Sequence, residues 1–252
     1  MRAIRLLEHA ITKKPETVLD VGVGPGYHDL PFLAQGSSVT GIDVSLPHLP
    51  VREHVNYAHI QSCYEQTNAL EADGAKFADN QYDAIWCCHV LEHIPNIQHF
   101  LIWLRGHLKP GGWLFLAVPT SRQNRLHIGH CTLWTPAHLV YNLICAGWNC
   151  KDANWYTEYL SIGISLQKVD DIDMSGRTAL PSEHIWLNTY TPIPVYHEDG
   201  AWWGDRWHEE IDNPRIVDPP CVTIGYDGRG SLPPTTQLAY GPNPKLREGY
   251  ER

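Results

Sequence analysis

The chain has 252 residues, a formal charge of −9 and a hydrophobic content of 43%. That is enough sequence for one large α/β domain with a modest appendage, and too little for two full enzymes. No apolar run approaches the ~18 residues of a spanning helix. The first sixteen residues lack the uninterrupted apolar stretch of a secretory signal, so no membrane association and a cytoplasmic location are expected. Residues 170–252 carry fourteen acids against seven bases, so most of the negative charge sits there. A grip on a phosphate backbone needs a basic footprint, which this composition does not supply, and nucleic acid is not an expected partner. The seven cysteines are scattered without paired CxxC spacing, which predicts reduced thiols rather than a disulfide framework.

From residue 1 to 169, short apolar or β-branched runs alternate with amphipathic segments, the pattern of βαβ units on a mainly parallel sheet. A helix over 3–12, with Ile4, Leu7 and Ile11 on one face, precedes a strand over 17–23. A helix opens near Tyr27. Strands follow at 38–43, 55–61 and 82–88. A helix over 96–108 stops at Lys109-Pro110-Gly111-Gly112, and a fifth strand covers 113–118. Thr135 as N-cap and Pro136 at the first helical position start a helix over 136–146 that Gly147 ends. Two last strands fall within 149–168. Residues 170–252 form a Pro- and Trp-rich extension with possible strands at 185–196 and 221–226. Its tryptophans Trp186, Trp202, Trp203 and Trp207 suit a lid, a sugar-binding face or a surface for homo-oligomer formation.

The strongest local signal is the strand that runs from Val18 into Gly22, Gly24 and Gly26. Glycines there permit a tight strand-to-helix turn and close approach of a ligand to the backbone. Seventeen residues past Gly26, Asp43 ends the next strand, where a carboxylate can accept both hydroxyls of a ribose. This suits any adenosine cofactor. The dinucleotide fingerprint places its third glycine at the position of Tyr27, which weakens the alternative of an NAD-dependent oxidoreductase. An ordinary βαβ turn is the remaining structural reading.

Asp20-x-Gly22-x-Gly24-x-Gly26, Gly41-Ile42-Asp43, Tyr82-Asp83-Ala84-Ile85, His89-Val90-Leu91-Glu92-His93 and Leu108-Lys109-Pro110-Gly111-Gly112 resemble, in order and spacing over residues 17–119, the motifs of class I S-adenosylmethionine-dependent methyltransferases. The resemblance implies a Rossmann-like, seven-stranded, mostly parallel sheet with one antiparallel strand, flanked by helices. It also implies S-adenosyl-L-methionine as cofactor. Asp20, Gly22, Gly24 and Gly26 would line its methionine part, Asp43 would hold its ribose, and His89 would lie near the reactive end. Asp73 falls near the adenine-contact position, although the sequence before the fourth strand is two positions shorter than the family pattern. Val23 and Pro25 stand where the family often has Cys and Thr.

Methyl transfer to a hydroxyl calls for a base with a pKa near neutrality, and the candidates are His130, His127 and His89, with His93 beside them. Fifteen histidines are spread through the chain, so for any single one a surface or packing role is the competing reading. His127, His130 and Cys131, or His197, Asp205, His208 and Glu209, are metal-ligand types, but no set of four falls at a recognised spacing and no metal is expected. Cys87 and Cys88, adjacent in a strand, read as packing. The expected acceptor is a small molecule or glycan-type metabolite, methylated on oxygen. A noncatalytic adenosine-cofactor-binding scaffold is the alternative from a different class.

Overall fold

The computed structural model describes residues 3–62, 82–120, 128–158, 161–177, 183–191 and 193. In chain order the elements are α1 (Ile4–Thr12), β1 (Thr17–Val21), α2 (Asp29–Ala34), β2 (Ser38–Asp43), α3 (Leu49–Arg52), β3 (Tyr57–Gln61), β4 (Tyr82–Cys88), α4 (Ile97–His107), β5 (Leu108–Pro119), α5 (Pro136–Cys145), β6 (Asn154–Glu158), β7 (Ser161–Gln167) and α6 (Glu183–Tyr190). One-turn 3-10 helices sit at Leu91–His93 and Met174–Gly176. The strands form a seven-stranded sheet in the order β3-β2-β1-β4-β5-β7-β6. β3, β2, β1, β4 and β5 pair in parallel, and β7 runs antiparallel to both β5 and β6.

Side chains alternate across this sheet, and both faces are covered. Leu19, Ile85, Cys87, Leu114 and Leu116 face one way, into a core closed by Phe100, Leu101 and Leu104 of α4 and Leu139, Leu143 and Ile144 of α5. Val18, Val39, Ala84, Trp86 and Phe115 face the other way, against Leu6, Leu7 and Ala10 of α1 and Phe32 and Leu33 of α2. Period-two strands buried on both faces are what a parallel sheet with crossover helices requires. Cys87 packs in the first core and Cys88 against the second, as expected of adjacent strand residues, and both are free thiols.

The helix ends follow their capping chemistry. The Asn96 side chain accepts from the backbone N–H of His99, and that of Thr135 from the N–H of His138. Gly147, at φ +89°, takes the left-handed conformation past the end of α5.

Three expectations need correction. The buried stripe of α1 is Leu6, Leu7 and Ala10, whereas Ile4, in the first turn, is exposed; the Glu158 carboxylate accepts from the N–H groups of Ile4 and Arg5 at the helix start. β5 begins at Leu108 rather than at Trp113, so Lys109-Pro110-Gly111-Gly112 is its first part. The Gly111 N–H donates to the Lys168 carbonyl at 2.8 Å and the Lys168 N–H donates to the Gly112 carbonyl at 2.7 Å, so the residue just past β7 ties this segment to the sheet, with Gly111 itself at φ +77°. The segment over 185–196 is helical through Tyr190, and Trp186, four residues before Tyr190, packs its ring edge-to-face against it at 5.8 Å. Ile172 and Trp186 belong to the first core, so the start of the extension packs on the sheet domain. The segment at 221–226 and Trp202, Trp203 and Trp207 lie outside the described residues, as do His197, Asp205, His208 and Glu209. No helix among the described residues is long and apolar enough to cross a membrane.

Candidate active site

The carboxyl ends of β1, β2 and β4 lie side by side, and the candidate residues follow directly from them. In open α/β sheets this edge, where the strand order reverses between β1 and β4, is where ligands bind.

The turn after β1 has φ +82° at Gly22, +53° at Gly24 and +83° at Gly26. The three glycines do different work. A Cβ on Gly22 would come within 2.2 Å of Val90 Cγ2, and one on Gly26 within 3.0 Å of Pro47 and Val51, so these two admit the protein's own neighbours. A Cβ on Gly24 would meet nothing within 4 Å. The open part of the cradle is therefore Gly24.

Asp43 faces this opening. Its Oδ2 accepts from the Gly24 N–H at 2.8 Å and its Oδ1 from the backbone N–H and hydroxyl of Ser45 at 2.9 and 3.0 Å. A carboxylate offers about four lone-pair sites, three of which these bonds use, so about one remains for a ligand hydroxyl unless the Ser45 hydroxyl turns away. Beneath the loop, Asp20 is 1% exposed, and its Oδ1 has no donor among the described residues. Burial, together with Asp29 and Asp43 nearby, pushes its carboxyl well above the usual carboxylate range. Burial likewise raises Asp29, the first residue of α2, to about 7. Burial and these same three acids raise the phenol of Tyr57, whose hydroxyl lies against Gly41. Three carboxyls thus crowd this strand edge, two of them buried, and a positive charge brought beside them would favour their ionised form.

β4 delivers the second half of the site. His89 has φ +59°, a left-handed conformation that a non-glycine residue adopts at a cost, and its N–H donates to Ala117 at 2.9 Å. Its ring bridges Ser161 Oγ, 3.2 Å from Nε2, and Glu92 Oε1, 3.3 Å from Nδ1. Val90 lies against Gly22, which puts the His89 to His93 turn directly on the glycine loop. Glu92 is 1% exposed. His93 Nε2 lies 3.9 Å from Glu92 Oε1, and the His93 and His130 rings meet edge-to-face at 4.9 Å. The fold therefore brings Asp20, Gly22, Gly24, Gly26 and Asp43 together, with His89 and His130 gathered in an adjoining cluster. Asp73 and His127 lie outside the described residues. Asp29, Tyr57, Glu92 and Ser161 were not singled out as site residues from the sequence, and only Glu92, inside a quoted motif, carried a signal that could have found it.

A family model described as a methyltransferase domain matches residues 1–150. The chain belongs to this methyltransferase family. With that membership, the oxidoreductase alternative loses its basis. Among curated relatives, a ubiquinone biosynthesis O-methyltransferase of Rickettsia akari is 25% identical over 175 residues, covering 67% of this chain and 64% of that protein. The one from Hydrogenovibrio crunogenus is 30% identical over 138 residues, covering 54% of this chain and 55% of that protein. The chain thus spans less than two thirds of the length of either relative. Among solved structures, the Burkholderia thailandensis 1,6-didemethyltoxoflavin-N1-methyltransferase, bound to 1,6-didemethyltoxoflavin and S-adenosylhomocysteine, matches with a TM-score of 0.54 at 22% identity. That match covers 67% of this chain and 78% of the other, and shows a shared fold.

Proposed function

We propose that this methyltransferase-family chain binds S-adenosyl-L-methionine at the Gly24 and Asp43 edge and methylates an oxygen of a small-molecule acceptor. The observation that carries the reading is the pairing of an open glycine, Gly24, with a carboxylate, Asp43, aimed at it from the next strand. The buried, unsatisfied oxygen of Asp20 supports it, because an acidic group without a donor fits a cationic amine or sulfonium. The preference for oxygen over nitrogen rests on the names of the curated relatives, which are O-methyltransferases.

Bound S-adenosylmethionine would supply an electrophilic methyl carbon on a positive sulfur. The chain's own task is to place a hydroxyl in line about 3 Å from that carbon and to take its proton as the C–O bond forms and the C–S bond breaks. His89 and His130 are the candidate bases for this step; His89 Nδ1 lies 3.3 Å from Glu92 Oε1, and the His130 ring meets that of His93 at 4.9 Å. His127 keeps its place as a candidate base, and Asp73 as a candidate adenine contact. Glycan-type acceptors and self-association through residues 170–252 remain part of this reading.

His130→Ala is expected to slow turnover by about 100-fold with an accepted hydroxyl substrate, while changing affinity for S-adenosylhomocysteine by about twofold at most. A panel of phenolic and sugar hydroxyls, read by S-adenosylhomocysteine release, finds the acceptor. Equal turnover in the variant would remove His130 from the chemistry. Binding of S-adenosylhomocysteine with no release from any acceptor would favour the noncatalytic scaffold.

A further inference from the structure

Glu92, His93 and His130 each offer a ligand atom, and these atoms all lie within 4.8 Å of one another. Three features set the cluster apart from a chance meeting of polar side chains. Glu92 Oε2 is buried without a hydrogen-bond partner among the described residues, while Oε1 of the same carboxyl lies 3.9 Å from His93 Nε2 and 3.3 Å from His89 Nδ1. His93 Nδ1 lies 2.8 Å from the carbonyl oxygen of Gly129, an acceptor, so Nδ1 is the donor there and Nε2 is the nitrogen that carries the lone pair in the neutral ring. A ligating histidine is commonly fixed in this way, by donating its other N–H to a backbone carbonyl. A Cβ at residue 129 would come within 3.2 Å of His93 Nδ1, so glycine there lets the carbonyl reach the ring.

The two sequence-distant halves are also joined through their backbones. The N–H groups of Cys131 and Thr132 both donate to the Glu92 carbonyl, at 2.7 and 3.3 Å, and the Cys131 thiol approaches the His93 carbonyl at 3.7 Å. His130 is thereby held beside Glu92 and His93 by bonds on either side of it.

We propose that Glu92, His93 and His130 form a three-ligand site for a borderline divalent transition cation of the zinc type. One carboxylate and two neutral imidazoles are the donor set such a cation takes, whereas calcium and magnesium prefer oxygen alone. Bonds of about 2.0 to 2.2 Å require the donors to draw together by roughly an ångström, within the reach of side-chain rotation at the exposed His93 and the half-buried His130. Three protein ligands leave at least one position open, as catalytic sites do. The proposal deepens the methyl-transfer reading and rests on it for one clause only, that the open position takes the acceptor's oxygen. His130 then acts as a ligand rather than as the base, and the cation lowers the pKa of the hydroxyl. The spacing rule predicted no metal because it looked for ligands near one another in sequence, and residues 92, 93 and 130 meet only in the fold.

The test uses the full chain, stripped with a chelator, and titrates it with Zn2+ by calorimetry and with Co2+ by visible absorption. A single saturable site near one equivalent is expected, with cobalt bands of a four- or five-coordinate ion. His93→Ala and His130→Ala should each weaken that site on the order of 100-fold, and Glu92→Gln likewise. No saturable binding, or binding that neither histidine variant affects, would overturn the proposal and leave the cluster an internal ion-pair network, with any bound metal an adventitious ion only. S-adenosylhomocysteine is titrated separately into the stripped protein. Its failure to bind would undo the methyl-transfer reading without touching the cation site, and the converse result would do the reverse.

Discussion

Asp29→Asn is expected to stabilise the ligand-free protein at pH 8 by about 2 to 4 kcal/mol, an advantage that shrinks toward pH 4. Asp29 is fully buried at the start of α2, and its oxygens have no donor among the described residues unless Asp20 carries a proton and shares it. Burial raises the folded-state pKa of Asp29 from 3.8 to about 7, so between those values the folded protein holds more protons than the unfolded chain. Stability therefore falls as the pH rises through that window, and the full cost is present above about 7. An asparagine carries no charge to desolvate, and its amide can donate to Asp20. For a domain of this size, thermal unfolding should show the variant about 5 to 10 °C higher at pH 8. An equal difference at pH 4 and pH 8, or a less stable variant at pH 8, would contradict the buried-carboxyl account.

Gly22→Ala and Gly24→Ala should fail in different ways. At Gly22 the new methyl would meet Val90 at 2.2 Å in a positive-φ backbone, so packing and conformational strain combine to a loss of about 2 to 4 kcal/mol in stability. At Gly24 no atom stands within 4 Å, so only the strain at φ +53° remains, about 1 to 2 kcal/mol. The methyl on residue 24 would instead occupy the space proposed for the cofactor, and affinity for S-adenosylhomocysteine should fall by about tenfold or more. Thermal unfolding and calorimetric titration of the two variants separate these effects. A Gly24→Ala protein that binds as tightly as the wild type would show that the open space is not ligand space.

What could be read ahead of the structure follows a physical division. β2 and β4 have the bounds their apolar runs predict, because strands buried on both faces leave a continuous local signal that ends at polar or turn residues. The glycine turn and Asp43 were legible for the same reason, since their geometry is set within a few residues of each strand end. Three kinds of feature were not. Residues 185–190, rich in aromatic and β-branched types, are helical because Trp186 and Tyr190 pack on the sheet domain, a tertiary cause that propensity does not carry. The Asp20 and Asp29 contact and the Glu92 and His130 contact depend on how a loop folds back, and no spacing rule reports that. His89 was found by its position after β4, but its left-handed backbone and its bonds to Ser161 and Glu92 make it a tether between the glycine-loop side and β7.

The central claim is that one adenosine ligand touches the glycine turn and Asp43 together. Calorimetric titration of the full chain with S-adenosylhomocysteine tests it most directly. The account predicts a single saturable site in the wild type, weakened by about 1 to 3 kcal/mol in Asp43→Ala through loss of charge-assisted hydrogen bonds. A wild-type chain that shows no binding, or an Asp43→Ala chain that binds with unchanged affinity, would contradict it.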